Sequence, residues 1–118
     1  MDFINFIEVR GRVGSVTFSR FGDAQQCRMS VVTEYVYKDR AGAPVMETVW
    51  FYASAWEGKY TMDMSKVEKG SVVQLDGRIR TFKYTSTDGT DRYSWEIAVN
   101  HLKVLETDEP LSAQPSIV

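Results

Sequence analysis

The chain has 118 residues and a mass of 13.5 kDa, enough for one domain with its own core and without disulfides or a structural metal. Fourteen basic and sixteen acidic residues give a net charge of -2 and a pI of about 5.4, so composition alone does not mark a nucleic-acid binder. One cysteine and one histidine exclude a disulfide framework and a Cys/His zinc site, and they leave little material for catalysis. We therefore expect neither an enzyme nor a metal or other cofactor.

The first two strands are predicted by a period-two alternation of apolar and polar residues. Residues 6–16 place Val9 and Val13 inward and Arg10 and Arg12 on the opposite side, and glycines within this strand indicate a bulge or a close backbone approach. A loop over residues 18–23 precedes a second strand over residues 26–37, in which Cys27 points inward as packing material. Residues 38–44, marked by Gly and Pro, predict a mobile hairpin loop.

The third strand, predicted over residues 47–56, has two unlike faces. The apolar face comprises Val49, Phe51, Ala53 and Ala55. The other face carries Trp50, Tyr52 and Trp56 between Thr48 and Ser54. Large rings on the side away from an aliphatic core indicate ligand contact. The alternative is that these rings are buried in the core of a small barrel or between subunits.

A long hairpin is predicted over residues 71–99. Its rising limb places two guanidiniums and two rings in one row, about 7 Å apart by strand geometry: Arg78, Arg80, Phe82 and Tyr84. The descending limb, residues 92–99, sets Trp95 on the same side as Ile97 and Val99, which predicts a packing role for that ring. The Asp-Gly pair in the polar stretch 85–91 predicts a flexible tip.

The remaining segments complete the fold prediction. Residues 57–69 carry the only helical pattern, which Gly70 is placed to end, and residues 106–118 predict a short disordered tail after a domain over residues 1–105. Three strands, a helix and a final pair of strands predict an all-β protein: the five-stranded Greek-key barrel of the OB-fold, with long protruding hairpins. The start of the chain has no signal sequence or long apolar run, so a cytoplasmic protein without a membrane partner is expected.

Interleaved rings and basic residues are the pattern that indicates a function. Single-stranded nucleic acid offers flat bases and a charged backbone, so a binder needs rings for stacking and cations for the phosphates. The ring candidates are Trp50, Trp56, Tyr84, Tyr37 and Phe82. The cation candidates are Arg10, Arg12, Arg20, Lys38, Arg40, Arg78, Arg80, Lys83 and Arg92.

Over residues 6–105 the sequence resembles the bacterial-type single-stranded DNA-binding proteins. The matching segments are VRGRVG (9–14), TVWF (48–51), KGSVV (69–73), GRIRT (77–81) and DGTDRY (88–93). The resemblance implies an OB-fold that oligomerises, with a homotetramer favoured over a dimer, and that binds single-stranded DNA without base specificity. It also implies stacking by Tyr37, Trp50, Trp56 and Tyr84, with Tyr35 a close competitor of Tyr37.

The sequence departs from this family at two places. Many relatives have His where this chain has Phe51, and the end of this chain, LSAQPSIV, lacks the acidic tip by which such proteins recruit replication and repair enzymes. Recruitment of those enzymes is therefore not expected. The leading hypothesis is protection of single-stranded DNA in replication, recombination or repair, near the nucleoid. The alternatives are a primosomal-type OB module that acts mainly through protein contacts, and RNA binding.

Overall fold

The computed structural model describes residues 2–58 and 64–105, which form five long β-strands and one short 3-10 turn. The strands are β1 (Ile7–Phe21), β2 (Ala24–Lys38), β3 (Pro44–Trp56), β4 (Val72–Thr85) and β5 (Asp91–Leu105). They close into a barrel in the order β1-β2-β3-β5-β4. The prediction of an all-β, five-stranded OB-fold barrel is confirmed.

Antiparallel pairing joins every pair of neighbours in this barrel except β3 and β5. Those two strands run parallel and meet over a short contact, where Ala53 lies opposite Ile97 and Ser54 opposite Ala98. Beyond that contact each hairpin continues without hydrogen bonding to the other. We call these two parts the β2–β3 arm, residues 30–52, and the β4–β5 arm, residues 80–96. The short parallel contact is therefore where the two hairpins are closest in the closed barrel.

The core is built from one face of each strand. Val13, Val31, Val73, Leu75 and Ile97 are almost completely buried, as their alternating positions predict. We call this side of the sheet the core face and the opposite side the outer face. Because directly opposed residues on adjacent strands lie on the same face, the pairing register assigns each paired residue to one of the two.

Close backbone approach explains two glycines on the core face. A Cβ atom on Gly77 would lie 2.0 Å from the Ala98 carbonyl oxygen, and one on Gly11 would lie 2.4 Å from the Val32 carbonyl oxygen. Neither position has room for a side chain, since real Cβ atoms do not approach other atoms so closely. These glycines let the neighbouring strands close the barrel.

The strands are longer than the sequence predicts. The predicted loop over residues 18–23 is wrong, because β1 continues to Phe21 and the reversal is a tight turn containing Gly22 at φ 63°. The descending limb is likewise longer, since β5 continues to Leu105, with a register shift opposite Asp76 and Gly77. Val49, predicted to face the core, is exposed because the buried core does not reach that far along the β2–β3 arm.

The predicted helix over residues 57–69 is not confirmed. Residues 59–63 lie outside the described residues, and the described remainder contains only a 3-10 turn, Met64–Lys66. Met64 and Val67 are buried in the core cluster, so this segment contributes to the core of the barrel. The predicted tail, residues 106–118, also lies outside the described residues.

Each arm ends in a turn held by an aspartate. Asp39 accepts hydrogen bonds from the backbone N–H groups of Ala41 and Ala43, both at 2.9 Å. Asp88 accepts one from the backbone N–H of Thr90 at 2.9 Å and another from the Ser86 hydroxyl. Side-chain capping of this kind is typical of Asp in turns.

Among the described residues no helix is long and apolar enough to cross a membrane.

Candidate nucleic-acid interface

Four of the five predicted stacking rings lie on the outer face of the sheet. Trp50 pairs with Val32 and Trp56 with Gln26 across β2 and β3. Phe82 pairs with Ser94 and Tyr84 with Arg92 across β4 and β5. Trp50, Trp56 and Tyr84 are 42–48% exposed. The outer face therefore carries one group of rings on β3 and a second on β4.

The ring of Trp50 lies over the backbone of Gly14. The register of β1 and β2 shifts between Val13 and Ser15, so Gly14 is an extra residue in β1. A Cβ atom on Gly14 would lie 2.5 Å from Cζ3 of Trp50. The bulge and the missing side chain together let the indole lie across β1.

The ring of Trp56 has an aromatic neighbour that is not among the predicted site residues. Phe21, at the end of β1, lies with its ring centroid 5.4 Å from that of Trp56, at an interplanar angle of 56°. Phe21 is 58% exposed, so it extends the aromatic surface beyond Trp56. The expected loop over residues 18–23 hid this contact, because only a continuous β1 aligns Phe21 with Ala24 beside the end of β3.

The second group of rings comes from β4. Phe82 and Tyr84 have centroids 6.3 Å apart with the planes tilted by 46°, and Phe82 is the more buried of the two. This arrangement leaves Tyr84 as the accessible ring and Phe82 as its support. Tyr37 lies elsewhere: its position in β2 is on the core face of the β2–β3 arm, where its centroid is 6.1 Å from that of Tyr35.

The arginines of β4 differ in their surroundings. Among the described residues Arg78 has no ion-pair partner and is exposed. Arg80 donates from Nε at 2.9 Å and from Nη2 at 2.6 Å to Oε1 of Glu96, a residue only 4% exposed. Arg28 Nη2 lies 3.5 Å from the other oxygen, Oε2, of the same carboxylate. Neither Arg28 nor Glu96 was among the predicted site residues.

The two arginines of β1 also lie on the outer face. Arg10 donates to Oε1 of Gln74 from Nη2 at 2.8 Å and from Nε at 3.2 Å. Arg12 donates to the Gly70 carbonyl oxygen at 2.8 Å. Both guanidiniums are thus held by neutral oxygens, which do not cancel their positive charge.

The other predicted cations are spread over the two arms. Lys83 lies on the core face of the β4–β5 arm, opposite Tyr93, and its Nζ is 3.2 Å from Asp91. Arg92 is on the outer face beside Tyr84 and is 3.6 Å from Asp88. Lys38 and Arg40 lie at the end of the β2–β3 arm and Arg20 near the end of β1, all exposed. Of these five cations only Arg92 is paired across strands with a stacking candidate, Tyr84.

The arrangement on the outer face suits an anionic, flat, extended ligand. Rings on β3 and β4 offer surfaces to bases, and Arg10, Arg12 and Arg78 offer cations to a backbone. Comparison with known proteins agrees with this chemistry. The model of the single-strand binding protein family matches residues 4–105. The chain belongs to this family.

Two relatives illustrate the match to the single-strand binding protein family. A single-stranded DNA-binding protein of Neisseria meningitidis is 31% identical over 105 residues, covering 86% of this chain and 60% of the relative. One of Xanthomonas campestris is 31% identical over 110 residues, with the same coverages. This chain thus spans about 60% of the length of these curated relatives. Their names do not favour the primosomal-type alternative.

Solved structures support the same barrel fold. The Plasmodium falciparum SSB in complex with ssDNA superposes with a TM-score of 0.79 at 21% identity, covering 90% of this chain and 98% of that chain. The small single-stranded DNA-binding protein from Streptomyces coelicolor gives a TM-score of 0.65 at 19% identity, covering 90% and 97%. At these identities the likeness concerns the fold alone.

The core face of the two arms carries a second apolar surface. Trp95, predicted to pack, does face the core side and meets Phe51 edge to face, with centroids 6.3 Å apart, yet it is 42% exposed. Phe51 packs between the core and Trp95. Tyr93, on the same face of the same strand as Trp95, is 74% exposed. This chain therefore has apolar surface away from its outer face.

Two titratable groups have shifted pKa values. Hydrogen bonds from the Ser86 hydroxyl and the Thr90 backbone N–H lower the pKa of Asp88 to about 2, so the Asp88 carboxylate stays ionised well into the acidic range. Burial raises the pKa of the Cys27 thiol to about 11, which leaves it protonated and unreactive. Neither group lies among the rings of the outer face.

Proposed function

We propose that this protein binds single-stranded DNA without base specificity and protects exposed strands in replication, recombination or repair. The observation that supports it best is the shared outer face of Trp50, Trp56, Phe82 and Tyr84, with Arg78 and Arg10 on the same side. Stacking of a base on such a ring contributes about 1 to 3 kcal/mol whichever base it is, so weak sequence preference follows.

The proposed contacts divide into two groups by position. Trp50, Trp56 and Tyr84 stack on bases, with Phe82 in support, while Arg10, Arg12, Arg78, Arg80 and Arg92 contact phosphates from the outer face. Tyr37, Lys38 and Arg40 on the β2–β3 arm, and Lys83 on the β4–β5 arm, would contact DNA only where a strand passes around the end of an arm. We expect smaller effects from these four residues.

We further propose that the protein acts as a homo-oligomer, a tetramer in preference to a dimer. Support comes from exposed apolar side chains on the core face of the β4–β5 hairpin, Ile79, Tyr93 and Trp95, which are 39–74% exposed in one chain. A second copy covering this surface leaves the outer face open to DNA. Light scattering of the purified protein measures the number of subunits.

The mode of action is binding rather than catalysis. The family is one of DNA-binding proteins, and stacking and phosphate contacts need no reacting group. We place the protein in the cytoplasm, associated with the nucleoid, because that is where single-stranded DNA is exposed. Recruitment of replication or repair enzymes is not part of this proposal.

Fluorescence anisotropy with a labelled oligo-dT of about 30 nucleotides tests the proposed function. Binding should weaken steeply as salt rises, because phosphate contacts release counterions. Matched duplex DNA should compete poorly, since its bases are not available for stacking. A matched RNA competitor distinguishes DNA from RNA binding, and RNA that competes better than DNA would contradict the assignment. Absence of binding at low salt would refute the proposed function.

A further inference from the structure

Among the described residues Glu96 is the only charged residue that is almost completely buried, and it lies on the outer face. Two arginines contact its carboxylate. The Glu96 side chain is 5% exposed, whereas those of Arg28 and Arg80 are 56% and 45% exposed. Each arginine contacts a different carboxylate oxygen, Arg80 at Oε1 and Arg28 at Oε2. The carboxylate is thus satisfied from both sides, as a buried charge requires.

One arginine would be enough to neutralise Glu96. The second leaves the three residues with one net positive charge, kept at the surface of the face that carries the rings. Contacts with Glu96 use Nε and Nη2 of Arg80 and Nη2 of Arg28, so each guanidinium keeps N–H groups directed elsewhere. A guanidinium fork of this kind matches the oxygens of a phosphate group.

The position of these three residues also suits a phosphate between two stacked bases. Arg28 pairs with Ser54, and Ser54 pairs with Ala98 at the short parallel contact of β3 with β5. Arg28 is two residues from Gln26, the partner of Trp56, and Arg80 is two residues from Phe82. The three residues therefore lie between the ring of Trp56 and the rings of β4.

We propose that Arg28, Glu96 and Arg80 form a single phosphate-binding unit, in which Glu96 is a positioning residue that aligns both guanidiniums and sets their joint charge. The ligand is one phosphodiester group of the bound strand. This inference rests on the proposed function. It makes a distinctive prediction: when either arginine is removed, the other forms a neutral pair with Glu96, and the whole site is lost.

The experiment measures how the binding constant for oligo-dT depends on salt in the full chain. For single strands each neutralised phosphate contributes about 0.7 to the slope of log K against log salt concentration. Arg28→Gln and Arg80→Gln should each make the slope shallower by about 0.7 per subunit in contact with the strand. Combining the two changes with Glu96→Gln, so that no buried charge is left unpaired, should also lose about 0.7, rather than the 1.4 expected of independent sites.

Arg78→Gln is the matched control, because Arg78 is an exposed arginine of β4 on the outer face with no ion pair to a described residue. Its loss should add to that of Arg28→Gln, giving a slope shallower by about 1.4 per subunit.

Glu96→Gln combined with Arg80→Gln should restore the slope to the wild-type value, since Arg28 is then no longer neutralised. A purely structural clamp predicts no such rescue. Melting temperatures of all variants identify any that fail to fold. If the Arg80→Gln, Glu96→Gln variant fails, the Arg28→Gln, Glu96→Gln variant tests the same rescue, with Arg80 as the arginine that is no longer neutralised.

Additive losses from Arg28→Gln and Arg80→Gln, or absence of rescue by Glu96→Gln in folded variants, would overturn the phosphate-binding unit. Either result leaves the proposed function standing as long as the wild type binds oligo-dT and Arg78→Gln changes its slope. A wild type that binds no oligo-dT refutes the proposed function itself. The two failures are therefore distinguishable in one set of titrations.

Discussion

Gly14 lies beneath the indole of Trp50, so close that a methyl group on Gly14 would come within 2.8 Å of two carbons of that ring. The φ angle of Gly14 is not positive, so its backbone would accept another residue. What requires glycine here is the ring above it. The bulge at Gly14 therefore makes room for the Trp50 ring to lie flat against the barrel.

Replacing Gly14 with Ala should displace the Trp50 ring and weaken DNA binding by about 1 kcal/mol, the lower end of the range for one stacked base. Anisotropy with oligo-dT measures the loss. In a Trp50→Ala background the same change should have no further effect on binding, because the ring it displaces is absent. A Gly14→Ala protein that binds like the wild type would show that Trp50 does not depend on this contact.

Phe21→Ala should weaken binding by about 0.5 to 1.5 kcal/mol, the range for an aromatic pair, because Trp56 loses its ring neighbour. Phe21 is 58% exposed, so we expect little change in melting temperature. Phe18→Ala is the matched control: Phe18 lies on the same strand but pairs with the buried Cys27 on the core face. Equal losses in the two variants would contradict a specific role for Phe21.

Tyr84→Ala should weaken oligo-dT binding by about 1 to 3 kcal/mol, because it removes a ring that we propose stacks on a base. The melting temperature should not fall, because this exposed ring is not part of the core. Tyr93 is the control, since it is more exposed than Tyr84 and lies on the other face of the same hairpin. Tyr93→Ala should leave binding unchanged. If Tyr84→Ala mainly destabilised the fold, the ring would be structural.

Much of the fold could be predicted because strand alternation is a local property of the sequence. Val9, Val13, Leu75 and Ile97 face the core as their spacing indicates. The extent of the strands could not be predicted in the same way. Gly22 supports a tight turn at φ 63°, which lets β1 continue to Phe21, whereas the sequence predicts a loop over residues 18–23.

The candidate site shows the same division between local and tertiary information. The alternation of side chains along a strand is enough to assign Trp50, Trp56 and Tyr84 to one side of their strands. It cannot show that Arg28 of β2 and Arg80 of β4 converge on Glu96 of β5, because their strands meet only when the barrel closes. In the sequence Glu96 is only a polar residue between Trp95 and Ile97, and its partners lie on two other strands.

The thiol of Cys27 should not react with iodoacetamide in the folded protein at a pH of about 8, because it is buried and burial raises its pKa to about 11. The folded-state pKa lies above the ordinary value of 9.0, so stability is unaffected below pH 9 and falls as the pH rises from 9 towards 11. Mass spectrometry after labelling, with and without guanidinium, measures the reactivity. The Cys27→Ala variant should lack this part of the pH dependence of unfolding. Labelling of the native protein would contradict the buried position.

Tryptophan fluorescence tests the central claim most directly, since the three tryptophans of the chain lie on different faces. Saturating oligo-dT should quench the wild type and a Trp95→Phe variant, because we propose that Trp50 and Trp56 stack on bases. In the Trp50→Phe, Trp56→Phe double variant only Trp95 remains, on the core face, and its emission should change little. Unquenched emission from Trp95→Phe protein that binds oligo-dT would contradict the stacking of bases on the outer face.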